Sequence, residues 1–416
     1  MKSDVLQHLV SGVAQGSAHS LIQLMAFVKI HPLSKDQLEN LLPKLLTHLD
    51  RRKIHRGEKP LAFDIPILSL RCLAPLVFKN YYRQNPLPKV RQILTAFWPH
   101  LWKWLEAICS RYIHNATVDL DDRITAKSAV LSILLFFSDE SSLKTLPESN
   151  PGVIPLLLKL WALEATKAES KSFRSSVIST SMVLDRCLVS FCSKAGANWI
   201  ETIMAPLGGS AKDVASIGLA HIRHHSQEQL DIVQVGVDVN VMIFFSNYDP
   251  LGHAFQSQHS VLVLTRVLGK LALRGYLQAT SSEVANCMNR CFSYLCGAFR
   301  SANSCTWIVQ SLDEQLICAM LRCSAWHKDL DKHFTLLLSH ILPKNLVLRP
   351  VVLAMRSALK QVRAKGLFLN IGDGQLGKNW AQLKKLAEEH IALIKSEDNE
   401  PYLVGSSPIC HNTKVS

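Results

Sequence analysis

The segment Gly372–Gly377, GDGQLG, has the glycine spacing of a loop that holds the pyrophosphate of a dinucleotide. That chemistry requires a strand before the glycines, a helix after them and a second, parallel strand beside the first. The remainder of the chain is charged and then polar, and it offers no second strand. We therefore interpret the segment as a link between two helices.

Three cysteines, Cys287, Cys291 and Cys296, lie close together in one helical stretch. Because a helix turns by about 100° per residue, Cys296 points away from Cys287, and the three thiols are not expected to share a metal ion. The chain has 11 cysteines, an odd number without a framework of tight spacings. This usage predicts buried structural thiols in a reducing compartment.

His221, His224 and His225 form a histidine cluster in the stretch HIRHHSQE, with two imidazoles three residues apart on one helical face. Such a pair could hold a metal ion, but no carboxylate or cysteine at a fixed spacing completes a tetrahedral site. Cationic side chains are also favoured at the carboxyl end of a helix, and this explanation accounts for the cluster equally well. We favour the structural role and leave the metal role open.

No other motif indicates a reaction centre. The chain lacks a serine nucleophile elbow, a phosphate-binding loop that ends in Gly-Lys-Ser/Thr, and a spaced pair of catalytic carboxylates. An enzyme would need a deep pocket with convergent polar groups, which the sequence does not indicate. We therefore expect a protein that is not an enzyme and that binds no cofactor.

Helical periodicity extends along most of the chain. In SKDQLENLLPKLLTHL the leucines recur on one helical face, and Ser34 with Gln37 forms a capping box. Similar helix starts are predicted at Thr280 with Glu283 and at Ser311 with Glu314. Many stretches are apolar on more than one side, as expected when each helical hairpin packs between two others. The predicted fold class is all-α, an irregular armadillo- or HEAT-like α-solenoid over residues 1–396, with a flexible tail over residues 397–416.

Residues 231–245, DIVQVGVDVNVMIFF, fit two structures. Valines at alternate positions are typical of a half-buried strand, whereas Ile232, Val235, Val239 and Met242 recur at helical spacing. Because a lone strand would have no partner, we favour a helix.

The overall composition predicts a folded protein, with 48% hydrophobic and 19% charged residues. The longest apolar stretch is broken by Arg266 and Lys270, and the first residues do not form a secretory signal, so we expect an intracellular protein, cytoplasmic or nuclear, without a membrane partner. The net charge of +13 permits contact with nucleic acid, but it is spread along the chain. The one dense basic run, Arg51–Lys59, is interpreted as a solvated loop between helices.

Three segments resemble a known family. The sequences FWPHLWKWLEAI (Phe97–Ile108), TWIVQSLDEQLICAMLRC (Thr306–Cys323) and NWAQLKKLAEEHIALIK followed by a short acidic linker and Cys410-His411-Asn412 are similar to parts of large fungal, mushroom-type proteins that end in a MYND zinc finger. In those proteins the finger opens with two cysteines separated by four residues and binds two zinc ions. Only Cys410 matches, because position 415 is Val.

This resemblance implies that Cys410 is an orphan first zinc ligand, and that zinc would be bound only if the finger were complete. Lys414-Val415-Ser416 can be encoded as an exon end followed by a splice donor, which leads to the hypothesis that the mature message continues into the finger. The expected function is a non-enzymatic helical scaffold that binds a protein partner. The alternative is a basic nuclear or nucleic-acid-associated adaptor, which is possible but not favoured.

Overall fold

The computed structural model of the protein describes residues 2–54, 63–81, 88–165, 178–194, 199–227, 230–273, 280–323, 327–367 and 374–399. All regular elements of these residues are helical, in agreement with the predicted all-α class. The chain divides into two compact units, Met1–Phe255 and Gln256–Ser416. None of the described helices is both long enough and apolar enough to cross a membrane.

The first unit is built from helices of the following bounds: α1 Lys2–Ala14, α2 Ala18–Ile30, α3 Lys35–Leu46, α4 Asp64–Tyr81, α5 Pro88–Ile108, α6 Leu120–Asp139, α7 Thr145–Glu148, α8 Val153–Glu164, α9 Thr180–Lys194, α10 Trp199–Met204, α11 Ala211–His225 and α12 Ile232–Ser246. A helix α13, Asp249–Ser257, follows. Shorter helical turns are Thr47–Leu49, Arg51–Lys53 and Ala205–Leu207, and a π-helical turn, Cys109–Ile113, extends α5.

The remaining helices are α14 Ser260–Leu273, α15 Ser281–Ala298, α16 Ser304–Asp313, α17 Leu316–Arg322, α18 His327–Thr335, α19 Leu342–Asn345, α20 Arg349–Ala364 and α21 Gln375–Asn399, with a π-helical turn over Leu336–Ile341. Within the second unit α14 packs against α15, α16 and α17, and α20 packs against α16 and α21.

Helices of the first unit pack in the order of the chain. Helix α2 contacts α4, α4 contacts α6, α6 contacts α9, and α9 contacts α12. A second succession runs from α1 to α3 and from α3 to α5. Several helices are consequently covered on more than one side, and α6 buries a continuous apolar run from Ala129 to Phe137 apart from Ser132. This accounts for the broad apolar surfaces of their sequences.

Two of the three predicted helix starts are confirmed. Ser34 and Gln37 form a reciprocal capping box at α3, and Thr280 and Glu283 form another at α15. The third was wrong, because Ser311 lies buried inside α16 and its Oγ donates to the carbonyl of Ile308. The helix is interrupted four residues later, at Gln315, which has a φ of 66° and directly precedes α17.

Residues 232–246 form helix α12, which confirms the helical interpretation of the valine-rich stretch. Asp231 caps this helix by accepting a hydrogen bond from the backbone N–H of Gln234 at 3.1 Å. The alternating valines do not conflict with a helix here, because α12 packs against both α9 and α11 and buries most of its circumference. Only Val233 among these valines is clearly exposed.

Candidate functional site

An open groove crosses three successive helices of the first unit, α2, α4 and α6. Its volume is about 370 Å³. Small side chains line it along α6, namely Thr125, Ser128, Ala129 and Ser132, and Ala74 of α4 is buried beside them. These small residues recur at successive turns of α6, so its side chains fill little of the groove.

The groove carries two cations, Lys29 at the end of α2 and Arg71 on α4. Lys29 is exposed and Arg71 is half-buried. Met25, Pro75 and Ile124 add apolar surface to the lining. A guanidinium can bind a carboxylate through two parallel hydrogen bonds, so this lining is suited to a ligand that is both acidic and partly apolar.

A second candidate site lies where α11 and α12 pack together. His221, His225 and Asp238 each offer one possible ligand atom, and these three atoms lie within 4.8 Å of one another. His221 and Asp238 are buried, whereas the His225 side chain keeps 18% of its surface exposed. The Nδ1 atom of His225 lies 2.7 Å from Oδ2 of Asp238, while Oδ1 of Asp238 is buried without a hydrogen-bond partner.

Local structure explains why the two histidines share one face. Ser210 caps α11 by accepting a hydrogen bond from the N–H of Asp213, and the buried face of the helix then runs along its length to His221. His225 is four residues further, one turn along the same face. Asp231 directly precedes α12, and its N–H donates to the carbonyl of His225, the last residue of α11, at 3.0 Å. This bond holds the start of α12 beside the end of α11.

His221 is fixed by α8. Its Nε2 lies 2.9 Å from the carbonyl oxygen of Trp161, and the two rings are stacked with their centroids 5.0 Å apart and their planes 4° from parallel. The indole N–H of Trp161 in turn donates to Oγ of Ser181 at 3.0 Å. Since a carbonyl oxygen can only accept, Nε2 of His221 is the donor, and Nδ1 is the nitrogen that could bind a metal ion.

The charges around His225 favour its protonated form. Burial lowers its pKa, but the hydrogen bond and charge of Asp238, together with the charges of Asp231 and Glu164, outweigh this effect and raise the pKa above the ordinary value of histidine. Glu164 also forms an ion pair with the fully buried Lys127 at 2.6 Å, and it accepts a hydrogen bond from the hydroxyl of Thr180 at 2.7 Å. A buried polar network therefore extends over α6, α8 and α9 next to the histidine cluster.

The sequence located the histidines but not their partner. The two that converge are His221 and His225, four residues apart, rather than the pair three apart, and His224 is not part of the three-residue group. The carboxylate comes from the next helix, so no fixed spacing within α11 could reveal it. The available signal was a single acidic residue, Asp238, within the apolar stretch of α12.

The predicted burial of the three clustered cysteines is confirmed. Cys287, Cys291 and Cys296 are buried, and burial raises the pKa of Cys296 and of Cys323 to about 12. Hydrogen bonding to Cys287 and burial also raise the pKa of Cys291. Thiols in this state are poor nucleophiles.

The remaining predicted positions are covered only in part. Cys410, the orphan zinc ligand of the resemblance, lies outside the described residues, as do Gly372 and residues 55–59 of the basic run. The described part of that run, Arg51–Lys53, is an exposed helical turn in which Arg52 pairs with Asp50.

No protein-family model, no curated protein and no solved structure matches this chain. The chain is therefore classified only as an all-helical protein, and kinship with MYND proteins remains a proposal.

Proposed function

We propose that this protein is a non-enzymatic helical-repeat scaffold, and that the groove across α2, α4 and α6 binds an acidic segment of a partner protein. The observation that carries the proposal is the groove itself, with its small side chains and with Lys29 and Arg71 in its lining. The proposal also includes an armadillo- or HEAT-like arrangement of the helices in the first unit.

The packing of the first unit supports a repeat architecture. Helices α2, α4, α6, α9 and α12 follow one another in contact, as helices of one layer do when hairpins stack. A surface made by stacked helices is rigid before it meets its ligand, so little conformational entropy is lost when an extended segment binds. The groove lies on this succession of helices.

The resemblance of the C-terminal region adds a second element to the proposal. If the chain is related to MYND zinc-finger proteins, the helical region would be one of two binding modules, and the complete finger would begin at Cys410. Two linked modules that bind the same partner raise its effective concentration at each site.

Charge reversal at Arg71 provides the test of the groove. The full chain is used to select peptides from a random display library, and the selected peptides are expected to be rich in Asp and Glu. Their affinity is measured by fluorescence anisotropy. Arg71→Glu should weaken their binding at least tenfold, because it removes a carboxylate partner and adds repulsion. Ser132→Phe, which fills the groove without changing charge, should weaken binding similarly.

Arg91→Glu is the matched control, because Arg91 is an exposed arginine of α5 that does not line the groove. Its affinity for the selected peptides should stay within twofold of the wild type. Peptides that bind the Arg71 and Arg91 variants equally well would refute the groove as the binding site, provided that circular dichroism shows both variants to be folded.

A nucleic-acid adaptor is the second candidate function, and the exposed side of α20 is the observation that favours it. Arg349 and Lys360 are exposed on this helix, with Arg356 half-buried between them, at spacings that place the three on one face. Basic side chains in a row can follow a phosphate backbone. A steep salt dependence of binding would separate this function from peptide binding.

A further inference from the structure

We propose that His221, His225 and Asp238 form a binding site for one zinc ion that joins α11 to α12. Their three ligand atoms lie within 4.8 Å of one another. In a tetrahedral zinc site, ligand atoms about 2.0–2.1 Å from the metal are roughly 3.4 Å apart. Zinc binding would draw together those ligand atoms that lie further apart than this.

The unpartnered oxygen of Asp238 indicates that a cation is the missing partner. Asp238 is 2% exposed and lies in a helix that otherwise buries apolar side chains. Its Oδ2 accepts from His225, but its Oδ1 has no hydrogen-bond partner. The hydrogen bond from His225 leaves Oδ1 of this buried carboxylate idle, which is costly, and a zinc ion that replaces the proton of His225 would engage it.

The surroundings of His221 are those of a metal ligand. Metal-binding histidines commonly donate their second ring N–H to a carbonyl or a carboxylate, which fixes the ring and directs the other nitrogen toward the ion. Nε2 of His221 makes this bond to the carbonyl of Trp161 at 2.9 Å, and stacking on the indole ring holds the imidazole in place. Nδ1 of His225, 2.7 Å from Oδ2 of Asp238, would bind the ion in place of its proton.

The donor set selects the class of metal. Two imidazoles and one carboxylate suit zinc and other first-row transition ions, whereas calcium and magnesium prefer ligands that are all oxygen. Zinc sites with three protein ligands retain a fourth position for water. The partial exposure of the His225 side chain, 18%, provides the path by which the ion and this water enter.

The role of the ion follows from where the ligands lie. Two of them are on the last turns of α11 and the third is in the middle of α12, so the ion would fasten the two helices across the turn that joins them. Metal binding that requires the folded arrangement of both helices also stabilises the fold.

Zinc binding to the full chain tests the proposal. Bound metal is first removed from the protein with a chelator, and the protein is then dialysed against Zn²⁺ alone. Mass spectrometry measures the bound zinc, and a competition titration measures its affinity. Asp238→Asn and His225→Gln should each lose one equivalent or bind it at least tenfold more weakly. His253→Gln is the control, because His253 is an exposed histidine of α13 outside the group.

Co²⁺ substitution separates this site from any cysteine site. Bound Co²⁺ should give visible ligand-field bands without the intense near-ultraviolet charge-transfer band of a thiolate, and Zn²⁺ should raise the melting temperature of the wild type more than that of Asp238→Asn. The proposal is overturned if Asp238→Asn keeps the zinc content and affinity of the wild type, or if all bound Co²⁺ shows thiolate charge transfer. These spectra are recorded on the wild type, so the test holds even if a variant fails to fold.

Discussion

Lys127 is a fully buried lysine, and its ammonium group forms an ion pair with the carboxylate of Glu164. Its Nζ lies 2.6 Å from Oε1 of Glu164, whose side chain is 9% exposed. Taking both charges out of water is costly, and the ion pair compensates this cost only while both partners are present. The two partners are not equivalent, since Glu164 also accepts hydrogen bonds from the backbone and hydroxyl of Thr180.

Removal of the two partners should therefore have unequal effects. Glu164→Gln removes the carboxylate that pairs with a buried ammonium and should lower the free energy of unfolding by about 3–5 kcal/mol. Lys127→Met replaces the ammonium with an apolar side chain of similar length and should cost less, about 1–2 kcal/mol, because Thr180 still satisfies the carboxylate. Denaturant titration followed by circular dichroism measures both values.

The exposed pair Lys103–Glu106 is the control for this comparison, with a similar separation of 2.7 Å. Lys103→Met should change stability by less than about 0.5 kcal/mol, because water screens the pair. If Lys127→Met costs as much as Glu164→Gln, the assignment of Glu164 as the residue that holds the buried ammonium is wrong.

In the sequence, these buried networks are indicated only by single charged residues within apolar stretches. Lys127 and Asp238 stand out in the sequence, each in a helix that is otherwise largely apolar at that point. Their partners, Glu164 and His225, come from other helices, and only the packing of those helices brings them together. The sequence can therefore mark where a buried charge lies, but not what neutralises it.

At the scale of the element, local chemistry determined what could be predicted. The capping boxes at Ser34 and Thr280 are local, and both helices start where predicted. The start predicted at Ser311 was wrong because neither side chain caps a helix. The Ser311 hydroxyl donates to the carbonyl of Ile308, and Glu314 pairs with Arg266 at 2.9 Å. A capping motif is informative only where tertiary contacts do not compete for its side chains.

Two helical glycines illustrate how packing between elements decides the effect of a methyl group. A Cβ on Gly218 of α11 would lie 2.9 Å from Cε1 of Phe255, a fully buried ring, and 3.3 Å from Cη2 of Trp161. A Cβ on Gly269 of α14 would meet no atom within 4 Å. Both glycines lie inside helices, where alanine is intrinsically favoured.

The same substitution should consequently have opposite effects at the two glycines. Gly218→Ala should destabilise the protein by about 1–2 kcal/mol, because the overlap with a fixed ring exceeds the gain in helix propensity. Gly269→Ala should stabilise it by about 0.5–1 kcal/mol. Equilibrium unfolding in urea measures both, and a Gly218→Ala protein as stable as the wild type would show that α11 and Phe255 are not packed this closely.

At the scale of the whole molecule, the all-helical class was accessible from the sequence and the binding surface was not. Apolar periodicity depends on neighbours three and four residues apart, which the sequence displays directly. The groove depends on α2, α4 and α6 being adjacent, and its residues Lys29, Arg71 and Ser132 are far apart in the chain. The division at Phe255 and Gln256 likewise reflects contacts between distant segments.

The net charge of +13 is an excess of cations over the whole chain, and many individual cations lie beside carboxylates. Lysine and arginine side chains pair with carboxylates in both units, as in Lys89–Glu39, Arg186–Asp139 and Arg266–Glu314. Charge that is paired and distributed in this way gives a weak field at any one surface. A segment bound in the groove would lie close to Arg71, which lines it.

Affinity for DNA and affinity for acidic peptides should therefore respond differently to salt and to mutation. A random-sequence duplex should bind no more tightly than about 10⁻⁴ M at physiological salt, and Arg71→Glu should leave that affinity within twofold. The same variant should weaken peptide binding at least tenfold. Anisotropy titrations of both probes over a range of salt concentrations give the comparison. Submicromolar DNA binding with a steep salt slope, lost in Lys360→Glu and retained in Arg71→Glu, would instead identify α20 as a phosphate-binding surface and the protein as a nucleic-acid adaptor.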